Sequence, residues 1–164
     1  MKKTGKYIHY CWFGDKPLPK LAKKCLESWK KYLPDYEIIR WSEENVDLEE
    51  CPFIKEAYEN KKWAFVADYA RFYALCTEGG VYMDTDMLLV RSIDGFLKDD
   101  MFIGREDQYN ASMGIIAMRK GNVLCKQIMD YYDSTPFDIV HPPIITRFLT
   151  PILQQYGLTE EDTT

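Results

Sequence analysis

The sequence predicts a single α/β domain with a mostly parallel central sheet, and three observations lead to that prediction. The chain has 164 residues, which is enough for one domain with a substantial core. A strand pattern at residues 7–12, a helix pattern at 19–33 and a strand pattern at 36–41 follow one another at the spacing of a βαβ unit. An apolar helix pattern at 63–76 then leads through a glycine turn into a short buried strand at 81–83.

The periodicity of apolar residues places the remaining elements in order along the chain. In the helix at 19–33 the apolar positions recur at helical spacing, and the lysines between them form a solvated face. Further helices are predicted at residues 52–61, 122–132 and 144–156, and further strands at 87–90, 101–106 and 115–118. An acidic tail at residues 160–162 is expected to be solvated. One domain over residues 1–164 accounts for the whole pattern.

Composition excludes several classes of protein. Hydrophobic residues at 46% and aromatic residues at 15% exclude a disordered chain. The net charge of -5 and the lack of a basic stripe argue against a nucleic-acid partner. Five widely spaced cysteines predict reduced thiols rather than a disulfide framework or a zinc site. No apolar run reaches membrane-spanning length, so the expected location is cytoplasmic.

Two aspartates follow the third predicted strand. Asp84 and Asp86 are one residue apart, just beyond Met83. In an open α/β sheet, ligands bind beyond the carboxyl ends of strands, which is where these carboxylates are expected. Two such carboxylates can share a hard divalent cation, and that cation can hold a diphosphate. The pattern therefore predicts a metal and phosphate site, although isolated pairs of this kind are often solvated loop acids.

The helix that precedes the glycine turn carries a second candidate pair. Asp68 and Arg71 are three residues apart and therefore share a helix face. One interpretation is a buried ion pair with a structural role. The other gives Asp68 a ribose hydroxyl and Arg71 a phosphate, because a planar guanidinium suits phosphate oxygens.

The first strand contributes two further candidates. Trp12 falls at its carboxyl end, where a flat aromatic ring can stack on a nucleobase or can belong to the core. His9 lies inside the strand and is interpreted as a hydrogen-bonded core histidine rather than a ligand.

With these residues in place, the chain resembles the family of glycosyltransferases with a DXD sugar-binding region, relatives of yeast α-mannosyltransferases and of clostridial toxin glucosyltransferase domains. The resemblance rests on IHYCWFG at residues 8–14, AFVADYAR at 64–71 and GGVYMDTD at 79–86. It implies a GT-A fold, a Rossmann-like α/β/α sandwich. Many bacterial members belong to capsular or other surface-polysaccharide clusters. Relatives usually continue for tens of residues past the point where this sequence stops.

The resemblance also implies roles for the candidate residues. Trp12 packs on the base, Asp68 holds the ribose or sugar, and Arg71 contacts the phosphates or sugar. Asp84 faces the sugar or ribose and takes part in the metal site, whose direct ligand is Asp86. The implied cofactor is Mn²⁺ or Mg²⁺ and the implied donor is a nucleotide-diphosphate sugar, a UDP-sugar in preference to GDP-mannose. The acceptor is a glycan or surface polysaccharide, transfer retains anomeric configuration, and peripheral membrane association is compatible with the sequence.

Two other interpretations compete with an active transferase. The first is a phosphatase-like hydrolase with a nucleophilic aspartate. Such sites usually place the aspartate pair after the first strand and before a Gly-Thr or similar pair, whereas here the pair lies mid-chain before Met87 and Leu88. The second is a non-catalytic or truncated module that binds a nucleotide sugar. Acceptor-dependent turnover separates this module from an enzyme.

Overall fold

The computed structural model describes residues 6–107 and 110–157, and these residues form one α/β unit. The strands are β1 (Tyr7–Cys11), β2 (Glu37–Trp41), β3 (Gly80–Met83), β4 (Met101–Arg105) and β5 (Ala111–Met118). The α-helices are α1 (Lys20–Tyr32), α2 (Pro52–Glu59), α3 (Trp63–Glu78), α4 (Leu124–Ser134) and α5 (Ile145–Gln155). The acidic tail expected at residues 160–162 lies outside the described residues.

The five strands form a single sheet in the order β2-β1-β3-β5-β4. Strand β1 pairs in parallel with β2 and with β3, so the predicted βαβ unit is confirmed. Strand β5 runs antiparallel to both of its neighbours, β3 and β4. Four of the five strands therefore share one direction, and the predicted mostly parallel sheet is confirmed.

Helices cover both faces of this sheet. In β3, Val81 and Met83 point to one side and pack in a core with Cys25 and Trp29 of α1. Tyr82 points to the other side, into a larger core built with α2, α3, α4 and α5. Because side chains alternate along a strand, a strand buried on both faces is apolar throughout, as β3 is. The result is the α/β/α sandwich that the resemblance implies.

A glycine turn connects α3 to β3 and fixes the position of both. Gly80 has a φ of +113°, and a Cβ there would lie 2.7 Å from the Tyr7 carbonyl oxygen of β1. His9 Nε2 lies 2.8 Å from the Gly79 carbonyl oxygen, and Trp41 Nε1 donates to His9 Nδ1 at 3.0 Å. The predicted role of His9 as a hydrogen-bonded core residue is confirmed.

The strand predicted at residues 87–90 is wrong. This segment is an extended loop on α1, where the Trp29 indole N–H donates to the Met87 carbonyl at 2.7 Å. The Leu89 N–H donates to the Ser28 hydroxyl at 3.0 Å. Side chains of a helix therefore satisfy the backbone groups that a neighbouring strand would otherwise pair with, and the apolar run needs no place in the sheet.

The expectation that all five cysteines are reduced is also wrong. Cys76, near the end of α3, forms a disulfide with Cys125, near the start of α4, and their Cα atoms are 5.4 Å apart. Their separation of 49 residues gave no sequence signal, because only the packing of α4 against α3 brings them together. Cys11, Cys25 and Cys51 are buried free thiols. None of the helices over residues 6–107 and 110–157 is long and apolar enough to cross a membrane.

Candidate active site

A cleft of about 940 Å³ opens at the carboxyl ends of β1 and β3. Asp84 and Asp86 line it on the β3 side, and Trp12 lines it on the β1 side. Tyr58 and Trp63 form a further aromatic wall, with their ring centres 5.4 Å apart. The sequence-predicted aspartate pair and tryptophan therefore face the same space, as expected of strand ends that meet at one edge of a sheet.

The carboxylate of Asp84 is oriented by two donors from the protein. Its Oδ1 accepts from the Tyr82 hydroxyl at 2.9 Å and from Arg71 Nη2 at 3.2 Å. The backbone N–H of Asp84 donates to the Gly114 carbonyl at 2.9 Å, which continues the pairing of β3 with β5. The side chain is 38% exposed, and Oδ2 accepts no hydrogen bond from the described residues. The free oxygen is thus held in one place.

Arg71 connects the two carboxylates predicted from the sequence. Its Nη1 donates to Asp68 Oδ1 at 2.8 Å while Nη2 binds Asp84, and its guanidinium lies 4.6 Å from the centre of the Tyr82 ring. Arg71 is only 4% exposed, and the Asp68 side chain is 20% exposed. The predicted contact between Asp68 and Arg71 is therefore present. Their predicted contacts with ribose and phosphate remain predictions.

Burial changes the electrostatics of this cluster. It raises the pKa of the Asp68 carboxyl, and the nearby Asp84 carboxylate raises it further, while the charge of Arg71 opposes both effects. One guanidinium thus serves two carboxylates, and the cluster as a whole carries one net negative charge when both aspartates are ionised. A cluster of this kind favours a cation next to the exposed oxygen of Asp84.

Asp86 differs from Asp84 in its surroundings. It is exposed at the turn after β3, and no side chain of the described residues donates to its carboxylate. Residues 6–107 and 110–157 contain no group of three or more His, Cys, Asp or Glu side chains that could hold a metal alone. Mg²⁺-type ions commonly use one or two carboxylates together with substrate phosphates and water. The carboxylate oxygens of Asp84 and Asp86 are suitable ligands for such an ion.

Three hydrogen bonds hold Trp12 in its position, one of them from Arg40 Nη2 to its carbonyl oxygen at 3.4 Å. Its backbone N–H donates to the Trp41 carbonyl at 2.9 Å, which extends the pairing of β1 with β2. Its indole N–H donates to the Lys16 carbonyl at 2.6 Å, which closes the turn after β1. The ring is half-buried and lines the cleft, so its orientation is set before any ligand arrives.

Two residues that shape this site are not among those predicted from the sequence. The sequence predicts Tyr82 only as a buried strand residue, yet its hydroxyl donates a hydrogen bond to Asp84. Period-2 alternation could have indicated that Tyr82 and Asp84 share a side of the strand. Gly114 lies next to Asp84 on the neighbouring strand β5. A Cβ at Gly114 would overlap the Met87 methyl group and lie 3.3 Å from Asp84 Oδ2. No signal in a single sequence links Gly114 to Asp84.

Comparison with known proteins identifies the family. The family model described as "Glycosyltransferase sugar-binding region containing DXD motif" matches residues 19–107, which is more than half of the chain. This chain belongs to that family. The matched region contains Asp68, Arg71, Asp84 and Asp86, so the contacts described above lie inside the part that defines the family. Trp12 lies before the matched region.

Two curated yeast proteins are similar to most of this glycosyltransferase-family chain. Inositol phosphoceramide mannosyltransferase 3 of Schizosaccharomyces pombe is 23% identical over 149 residues, which are 88% of this chain and 42% of that protein. Mannosyl phosphorylinositol ceramide synthase SUR1 of Saccharomyces cerevisiae is 28% identical over 144 residues, which are 82% of this chain and 37% of that protein. The chain thus spans about two fifths of the length of these relatives.

A solved structure supports the fold assignment independently. The PaToxG glycosyltransferase superposes with a TM-score of 0.66 at 19% sequence identity, covering 94% of this chain and 76% of that one. At this level of identity the likeness concerns the fold. It confirms the GT-A type α/β architecture that the sequence resemblance implies.

Proposed function

We propose that this protein transfers a sugar from a nucleotide-diphosphate donor to a hydroxyl of a glycan or surface polysaccharide, using Mn²⁺ or Mg²⁺ and retaining anomeric configuration. One observation carries the proposal: Trp12, Asp84 and Asp86 line a single cleft of about 940 Å³ at the carboxyl edge of the sheet. A cleft of this size holds a ligand as large as a nucleotide sugar. Membership of the DXD family supports the same donor class.

The two sides of the cleft suit the two halves of such a donor. The Trp12 ring offers a flat surface for the base, and stacking of this kind is tolerant of base identity. Asp84 and Asp86 offer hard oxygen ligands at the diphosphate side, where they would hold the cation. Asp68 is proposed to take a hydroxyl of the ribose or sugar with the oxygen that Arg71 leaves unpaired.

Departure of the diphosphate is the step that needs electrostatic help. The bond between the anomeric carbon and the phosphate oxygen breaks while the acceptor hydroxyl forms a new bond to that carbon, and negative charge builds on the diphosphate. A divalent cation, when bound, stabilises that charge and polarises the phosphoryl oxygens. Arg71 contributes by holding Asp84 in place, and its direct contact with the phosphates stays a prediction.

No protein nucleophile is assigned. In a retaining transfer without one, the acceptor hydroxyl attacks from the side on which the diphosphate leaves, and a leaving-group oxygen takes the hydroxyl proton. The residues that line the cleft then have to position the donor and exclude water, rather than form a covalent intermediate. The aromatic wall of Tyr58 and Trp63 is suited to excluding water.

A UDP-sugar is the proposed donor, with GDP-mannose as the alternative to be tested, since both yeast relatives are named for mannosyl transfer. A cytoplasmic location with peripheral membrane association also stays a prediction. The free thiols of Cys11, Cys25 and Cys51 support it, whereas the Cys76–Cys125 disulfide does not, because disulfides are rare in that compartment.

A thermal-shift panel tests the proposal. The protein is melted with UDP-, GDP-, CMP- and dTDP-sugars, each with Mn²⁺ and with EDTA. The expected result is a metal-dependent rise in Tm for one nucleotide class, because a ligand that binds only the folded state stabilises it. That donor is then incubated with glycan acceptors. Release of nucleoside diphosphate that requires an acceptor identifies a transferase, whereas binding without such release identifies a nucleotide-sugar-binding module.

A further inference from the structure

The turn that carries Trp12 is held by a carboxylate from a different part of the chain. Glu43, in the loop after β2, accepts the Gly14 N–H through Oε1 at 2.6 Å. The same oxygen accepts the Tyr58 hydroxyl of α2 at 3.3 Å. One side-chain oxygen therefore joins the turn after β1, the loop after β2 and α2. Hydrogen bonds to an ionised acceptor are stronger than neutral ones, so this junction is a firm one.

The other side of the turn is closed by an aromatic ring. Gly14 has a φ of +81°, and a Cβ at this position would lie 3.3 Å from the Trp63 ring. Trp63 in turn packs edge-on against Tyr58. The Gly14 peptide is thus held between the Glu43 carboxylate and the Trp63 indole, and both the positive φ and the close ring favour glycine at this position.

This junction determines where the Trp12 ring lies. Trp12 is two residues before Gly14, and its indole N–H is bound to the Lys16 carbonyl two residues after it. The indole hydrogen bond thus closes the turn over residues 12–16, and the Glu43 side chain, from outside the turn, holds its centre. Glu43 itself is not among the residues that line the cleft. Its effect on a ligand has to pass through the turn or through Tyr58, which it also binds and which lines the cleft.

We propose that Glu43 is a positioning residue for donor binding: it fixes the turn over residues 12–16 and so presents the Trp12 ring in a single orientation to the base. This inference rests on the proposed function, because it needs a nucleotide in the cleft. A ring already held in its bound orientation loses little conformational freedom on binding, whereas a mobile ring must be ordered at that moment. Glu43 thereby adds affinity for the nucleoside half of the donor.

The adjacent residue provides a matched control. Glu44 has the same side chain, but it is exposed and no hydrogen bond of its carboxylate to the described residues is seen. The variants are Glu43→Ala, Glu43→Gln and Glu44→Ala. Glutamine keeps a carbonyl oxygen that can accept both the Gly14 N–H and the Tyr58 hydroxyl, so it tests geometry apart from charge.

Two measurements are made on each variant. The first is hydrogen exchange of the Gly14 amide in the ligand-free protein, and the second is the Kd for the nucleoside diphosphate selected by the donor panel. Glu43→Ala is expected to speed exchange of the Gly14 amide and to weaken binding by roughly threefold to tenfold, the cost of ordering one side chain on binding. Glu44→Ala is expected to stay close to the wild type in both measurements, and Glu43→Gln, which keeps the geometry but loses the charge, is expected to fall between the wild type and Glu43→Ala.

The outcomes separate this inference from the proposed function. Wild-type affinity in Glu43→Ala overturns the inference, whether or not exchange changes. If the wild-type protein binds no nucleotide, the proposed function is overturned. If hydrogen exchange of the Gly14 amide is then also unchanged in Glu43→Ala, Glu43 does not fix the turn over residues 12–16. If Glu43→Ala does not melt cooperatively, Glu43→Asp replaces it. The shorter carboxylate keeps the charge but withdraws from Gly14, and the same two readouts apply.

Discussion

Arg71 Nη2 donates to Asp84 Oδ1 at 3.2 Å, so a buried arginine of α3 is joined directly to the first aspartate after β3. Nη1 of the same guanidinium binds Asp68 at 2.8 Å. The helix that leads into the glycine turn thus determines the orientation of the carboxylate that comes out of the turn. Asp84 is therefore held in place by protein groups, one from Tyr82 in the cleft wall and one from Arg71, which is not among the residues that line the cleft.

Tyr82→Phe tests this support with little disturbance to the fold. It removes the hydroxyl that donates to Asp84 Oδ1 at 2.9 Å and leaves the ring in its core. Supporting hydrogen bonds around a metal ligand are typically worth about 10-fold to 100-fold in metal affinity, so metal-dependent donor binding should weaken by about 10-fold. The unfolding free energy should fall by about 1 kcal/mol.

Tyr69→Phe is the control for that change. The Tyr69 hydroxyl is buried but has no hydrogen-bond partner within the described residues, so its loss should leave donor binding unchanged. Calorimetric titrations with Mn²⁺ on both variants give the comparison. Equal affinities in Tyr82→Phe and the wild type would mean that the Tyr82 hydroxyl does not support the site.

Trp12→Ala tests the proposal that the Trp12 side of the cleft binds the base. Loss of a stacking aromatic should weaken nucleotide affinity by about 1–3 kcal/mol. Trp12→Phe keeps a ring but loses the hydrogen bond to Lys16, so a smaller loss is expected there. The measurement is the Kd for the nucleoside diphosphate in the wild type, Trp12→Ala and Trp12→Phe. If Trp12→Ala binds the nucleoside diphosphate as tightly as the wild type, the Trp12 ring does not stack on the base.

The sequence predicted those parts of the site that depend on local pattern. The apolar strand after a glycine turn placed Asp84 and Asp86 at a strand end, and the strand at residues 7–12 placed Trp12 at the same edge. The spacing of Asp68 and Arg71 predicted their contact. Each of these predictions uses a period or a turn that is written in consecutive residues.

The parts that it did not predict depend on contacts between distant segments. Residues 87–90 have the composition of a strand, but Ser28 and Trp29 of α1 bind their backbone. The disulfide joins residues 49 apart, and the Glu43 side chain joins the turn after β1, the loop after β2 and helix α2. Such partners are chosen by packing in three dimensions, for which a single sequence gives no local signal.

Gly114→Ala is expected to displace the Asp84 carboxylate. The new Cβ would overlap the Met87 methyl group and press on Asp84 Oδ2, so the unfolding free energy should fall by about 1–3 kcal/mol. Metal-dependent donor binding should weaken more than binding of the nucleoside alone. Gly95→Ala is the control, since a Cβ there meets nothing within 4 Å. Equal losses for nucleoside and donor would argue against a specific effect on Asp84.

The surroundings of His9 should make the free energy of unfolding depend on pH. Since the Trp41 indole N–H can only donate, His9 Nδ1 accepts and the ring is neutral, with Nε2–H donating to the Gly79 carbonyl. Burial lowers the pKa of His9 from its usual 6.5. Below that value the unfolded chain takes up a proton that the folded protein does not. Stability should therefore fall as the pH drops from about 6.5 towards the lowered pKa.

Denaturant titrations between pH 8 and pH 5 measure this dependence. His9→Gln keeps a donor for the Gly79 carbonyl but cannot titrate, so its stability should vary less with pH than that of the wild type. The exposed His141 gives the control variant His141→Gln, which should follow the wild-type curve. A wild-type slope in His9→Gln would show that His9 does not carry the effect.

Asp86→Asn tests whether the two aspartates hold the metal that binds the donor. Donor is titrated calorimetrically into the wild type, Asp86→Asn and the control Asp99→Asn, each with Mn²⁺ and with EDTA. Asp99 is exposed just before β4, at the opposite end of the sheet. We expect metal-dependent binding in the wild type and in Asp99→Asn, and its loss in Asp86→Asn at an unchanged Tm. The same metal dependence in Asp86→Asn as in the wild type would contradict this expectation.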